Sequence, residues 1–179
     1  MVPPDDLPAA DRVAASLEAC LRLPANALTV HAIAEFAPGL SAARVFRVQV
    51  RLCTPVKHHS PLLSTPGDPS AVSSFVLKVL DAGRQTLIAP QDPKGTLREA
   101  QFYACGLAAG LPIGVRAPAL VGIDQGSDLH GPWLWMEDVG GALGITWQPT
   151  QALLAAERNA LLHRLYLDRR AALEGLPWL

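Results

Sequence analysis

Apolar residues recur along the chain with two different periods, and the switches between them mark out the elements. Over residues 9–23, Ala10, Val13, Ala14, Leu17 and Leu21 fall at helical spacing and Pro24 follows, which predicts a first helix. Residues 28–36 (LTVHAIAEF) and 44–52 (RVFRVQVRL) have strand composition. In the second of these, Val45, Val48, Val50 and Leu52 serve as the apolar markers, with an irregularity near Phe46. Between them APGLSAA (37–43) reads as a turn, so the two strands form a hairpin around Gly39. A third strand lies in SSFVLKVL (73–80). There Phe75, Leu77 and Val79 share one face, and Val76, Lys78 and Leu80 share the other.

Residues 53–73 carry Pro55, Pro61, Pro66 and Pro69 without periodicity and read as a long surface loop; 82–95, with Pro90, Pro93 and Gly95, reads as another. His58 and His59 stand in the first loop without further clustered ligands and are read as solvated. TLREAQFYACGLAAG (96–110) predicts a second helix, with Leu97, Ala100, Ala104 and Leu107 as a seam continued by Leu111. Residues 117–123 (APALVGI) and 133–138 (WLWMED) predict two more strands, joined by a polar loop at 124–132. Trp133 and Trp135 share a face and are read as core packing. Gly140 and Gly141 interrupt the chain before a final helix over 150–174. A hairpin followed by a helix crossing between the third and fourth strands predicts an α+β fold, with a five-stranded antiparallel sheet flanked by an N-terminal and a C-terminal helix.

Composition narrows the function classes. The 179 residues suit one ordinary domain, and 15 Lys+Arg against 16 Asp+Glu give none of the basic excess of a nucleic-acid surface. Charged residues are 17% of the chain, below the ~25% usual in soluble domains. With hydrophobic residues at 50%, some apolar surface is expected to meet a partner or a missing part of the chain. Cys20, Cys53 and Cys105 are odd in number and widely spaced, and are read as reduced, buried thiols. The opening MVPPDDLP lacks the features of a signal peptide, and no apolar run is long enough to span a bilayer. A cytoplasmic protein without a membrane partner is the expectation.

Lys78 raises the chemical question. One reading is a lysine snorkelling to water from a half-covered face or guarding an edge. The other is an ammonium aimed into a cleft, held by a carboxylate and available to an anion. Glu99 is likewise open to two readings. Thr96 and Glu99 match the capping box S/T-x-x-E, in which the glutamate bonds back to the helix start. The same glutamate could instead tether Lys78.

Taken in order, SSFVLKVL, LREAQFY, LPIGVRAPALVG, LWMEDVGG and NALLHRLY resemble segments of the protein-kinase-like fold, most closely those of the aminoglycoside phosphotransferase family. The resemblance covers most of residues 28–179 and rests on the ordered set rather than on any one motif. It implies a kinase-like small lobe with hinge over 1–141, and a linker and first large-lobe helix over 142–179. It implies that Lys78 is paired with Glu99 and touches the α- and β-phosphates of ATP. The turn at 38–44, with Ser41 as an added donor, would cover the phosphates, although Gly39 is its single glycine. Backbone groups of Met136, Glu137 and Val139 would meet the adenine edge over an apolar floor of Val76 and Val121. Glu137 and Asp138 could equally be solvated residues ending a strand.

Two parts of such an enzyme are missing from the sequence. No H-x-D-x-x-x-x-N occurs to supply a base for a substrate hydroxyl, and no D-F-G or D-x-D occurs after HRLYLD (163–168) to hold Mg²⁺. Mg²⁺ and a small hydroxyl substrate are therefore expected only in a full-length enzyme of which this chain would be a fragment. Leu154, Leu161, Leu162, Leu165 and Leu173 give the final helix a broad apolar face, so self-association through 150–179 is expected.

Overall fold

The structure is a computed structural model and describes residues 7–36, 43–53, 63, 71–80, 95–125, 131–140 and 148–168. In chain order the elements are α1 (Ala10–Leu21), β1 (Leu28–Glu35), β2 (Arg44–Leu52), β3 (Val72–Val79), α2 (Gly95–Ala104), a 3₁₀ turn (Leu107–Gly110), β4 (Leu120–Asp124), β5 (Trp133–Glu137) and α3 (Pro149–Asp168). The five strands form one sheet in the order β1-β2-β3-β5-β4, every neighbouring pair antiparallel. The α+β class and the five-stranded antiparallel sheet are those the sequence predicts. Ser41 and the turn around Gly39, His58 and His59, Leu173, and the side chains of Thr96 and Leu97 lie outside the described residues.

Strand alternation builds the core. Along β3, Ser73, Phe75, Leu77 and Val79 are buried while Val72, Ser74, Val76 and Lys78 are half-buried. The buried set faces α1, whose Val13 and Leu17 pack with Phe46, Val48, Val50, Phe75, Leu77, Trp133 and Trp135. Each such large side chain contributes about 1.5–3 kcal/mol through removal from water. Trp135 also donates its indole Nε1–H to Ser16 Oγ at 2.9 Å, which fixes the helix against the sheet. Trp133 and Trp135 are core residues, as read from the sequence.

Several details depart from the sequence reading. On β2 the inward residues are Phe46, Val48 and Val50; Val45 lies on the opposite face, beside Lys78. The irregularity sits instead in β1, where the register shifts between Val30 and Ala32. The second helix stops at Ala104 because Gly106 takes a left-handed conformation (φ 77°), open to a residue without Cβ, and a 3₁₀ turn follows. Cys53 and Cys105 are exposed and only Cys20 of the three thiols is shielded; burial, then the nearby Asp124 charge, push its pKa up to about 11. Val121 packs against the α1-side core rather than beside Val76.

The α1–β1 connection is closed by a buried carboxylate. Glu18 accepts the Leu28 N–H at 2.8 Å and the Asn26 N–H at 3.2 Å, so its charge replaces water for two backbone donors. Glu18→Ala leaves both without that acceptor and is expected to lower the unfolding free energy by about 2 kcal/mol. A urea titration measures it, and a loss below about 0.5 kcal/mol would show that water substitutes freely. Across α1, Gly122 of β4 lies so close to Cys20 that a Cβ at position 122 would come within 2.7 Å of the cysteine Cβ and Sγ.

No residue of α3 is buried, and Leu153, Leu154, Leu161 and Leu167 are 63%, 50%, 41% and 73% exposed. Arg158 joins the helix to the preceding segment by donating Nη1–H to the Ile113 carbonyl at 3.1 Å. Among the described residues, no helix is long and apolar enough to cross a membrane.

Candidate functional site

The sheet face turned away from α1 carries the polar chemistry. Register sets Lys78 between Val45 of β2 and Leu134 of β5, and Val76 between Arg47 and Met136. Cross-strand partners point to the same side, so these six residues share one surface. Helix α2 crosses it. Its Glu99 accepts a hydrogen bond at Oε2 from Lys78 Nζ, and its Tyr103 hydroxyl lies 3.7 Å from Met136 Sδ. Burial, then the Glu99 charge, raise the Tyr103 pKa, so the phenol keeps its proton.

The contact places the Glu99 carboxylate on the lysine of β3 through Oε2. The side chains of Lys78 and Glu99 are 19% and 33% exposed, so neither is sealed from water. An ion pair this open is worth about 0.2–1 kcal/mol to the fold. Its larger effect is positional. The pair holds the ammonium beside half-buried Val76 and the buried Leu134 and Met136.

A second polar cluster on this face has no counterpart in the sequence reading. Asp138, just past β5, accepts Ser74 Oγ–H at 2.5 Å and the Gly140 N–H at 3.0 Å. Arg47 places Nε 2.8 Å from Asp138 Oδ2 as an ion pair, while Nη2 makes the aligned hydrogen bond to Oδ1 at 3.3 Å. Asp138 is thus a nearly buried clasp (its side chain 9% exposed) joining β2, β3 and the chain leaving β5, not a solvated strand end. Residues 47, 74 and 138 lie far apart along the chain, so no local pattern could have revealed it.

Burial pushes the Asp138 pKa up, but the Ser74, Gly140 and Arg47 contacts outweigh it and hold the carboxyl below its ordinary value. A lowered folded pKa stabilises the protein above the unfolded carboxylate range, and that stabilisation disappears as pH falls through the folded value. The stability gap between the native chain and Asp138→Asn is therefore expected to hold above about pH 5 and to narrow as pH falls through the unfolded carboxylate range near 4 and below it. Urea midpoints across that range test it, and a gap independent of pH would argue that Asp138 is held by shape alone.

Glu137 turns the other way. By register it shares the face of Phe75, and its carboxylate accepts the Ala119 N–H at 3.0 Å and Arg116 Nη1–H at 3.1 Å. The Ala119 bond foremost, then Arg116, hold its pKa below the ordinary value. Its own N–H is engaged by the Ala119 carbonyl at 2.9 Å. Val139 follows with its side chain 58% exposed. Of the residues singled out from the sequence, Lys78, Glu99 and Met136 are thus brought to one surface; Glu137 faces β4 and Val139 lies at the rim. Among the described residues, no group of three His, Cys, Asp or Glu side chains is placed to hold a metal ion. Compared with known proteins, the chain matches no family model, no curated protein and no solved structure.

Proposed function

We propose that this chain is the nucleotide-binding small lobe of an ATP-dependent small-molecule phosphotransferase, of the aminoglycoside-phosphotransferase kind. The observation that carries the reading is the Lys78–Glu99 pair between β3 and α2, with the lysine set on an otherwise apolar strip. In this reading Lys78 donates to α- and β-phosphate oxygens, and Glu99 keeps its ammonium from wandering. Val76 and Met136 supply the apolar surface for a base. Contact with the adenine edge falls to the backbone near Asp138 and Val139, since the Glu137 and Gly140 amides are already engaged. The Asp138 clasp would keep that stretch in place.

The sequence has no H-x-D-x-x-x-x-N and no D-x-D, so a hydroxyl-activating base and Mg²⁺ ligands of that form are not among these 179 residues. The chain by itself binds nucleotide without transferring phosphate; in a full-length enzyme the γ-phosphoryl would pass to a hydroxyl of a small polar molecule. Calorimetric titration of the purified chain with ATP and with AMP tests this. ATP is expected to bind more tightly than AMP, because the lysine reads the added phosphates. The absence of heat at millimolar ATP, or equal affinity for the two, overturns it.

A second reading, a kinase-like domain used for assembly rather than catalysis, is favoured by the exposed leucines of α3. The two readings part on whether the lysine surface takes up nucleotide.

A further inference from the structure

We propose that Arg158 is a releasable clip: it seats α3 on the turn at 112–115, and without it the helix leaves the body as a unit while the sheet stays folded. The inference does not depend on nucleotide binding.

The seat is shaped for a guanidinium. Val115 N–H donates to the Pro112 carbonyl at 2.9 Å and closes a four-residue turn. Gly114, its third residue, has φ 82°, as a type II turn requires there. A Cβ on Gly114 would lie 2.6 Å from both Cζ and Nη1 of Arg158 and 3.1 Å from Nε. The guanidinium therefore occupies the space that any L side chain at 114 would fill. From there Nη1–H donates to the Ile113 carbonyl at 3.1 Å. Glycine serves twice: its backbone makes the turn, and its bare Cα admits the cation. The turn is also anchored without the helix, because Arg116 and Ala119 just beyond it both bond the Glu137 carboxylate at the end of β5.

The rest of α3 makes this contact decisive. The helix has 20 residues and buries none of them. Positions 155, 158, 162, 165 and 166 are half-buried, and the others are exposed. Seating the helix thus removes little apolar area from water, and the drive that fixes α1 to the sheet is weak here. Among the described residues, the Ile113 carbonyl is the one hydrogen-bond partner that α3 finds outside 148–168. Neither a buried seam nor a second polar contact holds the helix if the guanidinium lets go. A helix without tertiary packing is marginal in water, so release and fraying of α3 go together. Opening of this kind lies below global unfolding, as a local unit of low stability.

Amide hydrogen exchange of the full chain, read by mass spectrometry, tests the clip. Arg158→Met keeps the stem and removes the guanidinium. Gly114→Ala keeps the guanidinium and fills its seat. Each is expected to speed exchange over 151–168 by about tenfold, with exchange in β2 and β3 unchanged. Their combination should add nothing beyond the larger single effect, because the clip can be lost only once. Gly106→Ala is the control for backbone strain. Its φ is 77°, but a Cβ there meets nothing within 4 Å, so α3 should keep its native exchange. The proposal is overturned if either seat variant leaves α3 unaltered, if the sheet loosens by the same factor, or if the two seat variants add. Loosening of α3 by Gly106→Ala as great as by Gly114→Ala also overturns it. So does a native α3 that exchanges as fast as an unstructured peptide, for then the helix has no seat to leave.

Discussion

Replacing Lys78 with methionine is expected to weaken ATP binding by roughly tenfold to a hundredfold, the loss typical of a charge-assisted hydrogen bond to a phosphate. Methionine keeps an unbranched apolar stem between Val45 and Leu134, so the sheet should fold as before. The electrostatics change sign. Glu99, two-thirds covered, is left without its cation and faces the incoming phosphates as a like charge. Glu99→Gln is the informative companion. It keeps the ammonium but loosens its tether, and should cost only about threefold to tenfold. AMP affinity should change less than ATP affinity in both variants. Calorimetry with circular dichroism as the folding control makes the measurement. An unaltered ATP affinity in folded Lys78→Met would remove the lysine from any anion site and return it to an ordinary strand position.

The largest effect on stability is expected at Trp135, where substitution by alanine should lower the unfolding free energy by about 3–5 kcal/mol. The side chain is fully buried in the strand next to β3, packed in the core cluster with Val13 and Leu17 of α1. Part of the loss belongs to the indole N–H and its acceptor, Ser16 Oγ. Ser16→Ala isolates that part: it strands a buried donor while leaving the packing, and should cost about 1–3 kcal/mol. The larger change removes a substantial part of the ~5–15 kcal/mol that holds a domain folded, so urea unfolding at low temperature is the suitable assay. A loss under about 1 kcal/mol for Trp135→Ala would mean that α1 does not pack on the sheet as described.

How far the sequence could be read depended on the range of the interaction. Alternation on β3 and the shared face of Trp133 and Trp135 are local, and both assignments hold. On β2 the ambiguity is local too: Val45 and Phe46 are both apolar, so alternation does not say which of them joins Val48 and Val50, and the structure buries Phe46. The second helix ran too long because Leu107 and Leu111 continue its spacing, while Gly106 carries the decisive signal, its freedom to turn left-handed. Lys78 and Glu99 pair in the sequence only through the order of several segments, since position 99 alone favours the capping box. The Asp138 clasp was out of reach because its members come from three separate strands or strand ends. Exposure of Cys53 and Cys105 likewise follows from where strands and helices stop, which no count of cysteines contains.

The near-touching backbone at Gly122 has a consequence for sequence drift. A methyl group there would strike the first atoms of Cys20, not the tip of a flexible chain, so α1 would have to retreat from the sheet. Descendants of this chain can therefore acquire alanine at 122 only after position 20 has shrunk to glycine, and even then the position-20 Cα lies 3.3 Å from the new methyl. The order of the two steps matters: the path through Gly122→Ala alone crosses a valley, whereas the path through Cys20→Gly gives up helix propensity and the packing of the cysteine against the core before the methyl arrives.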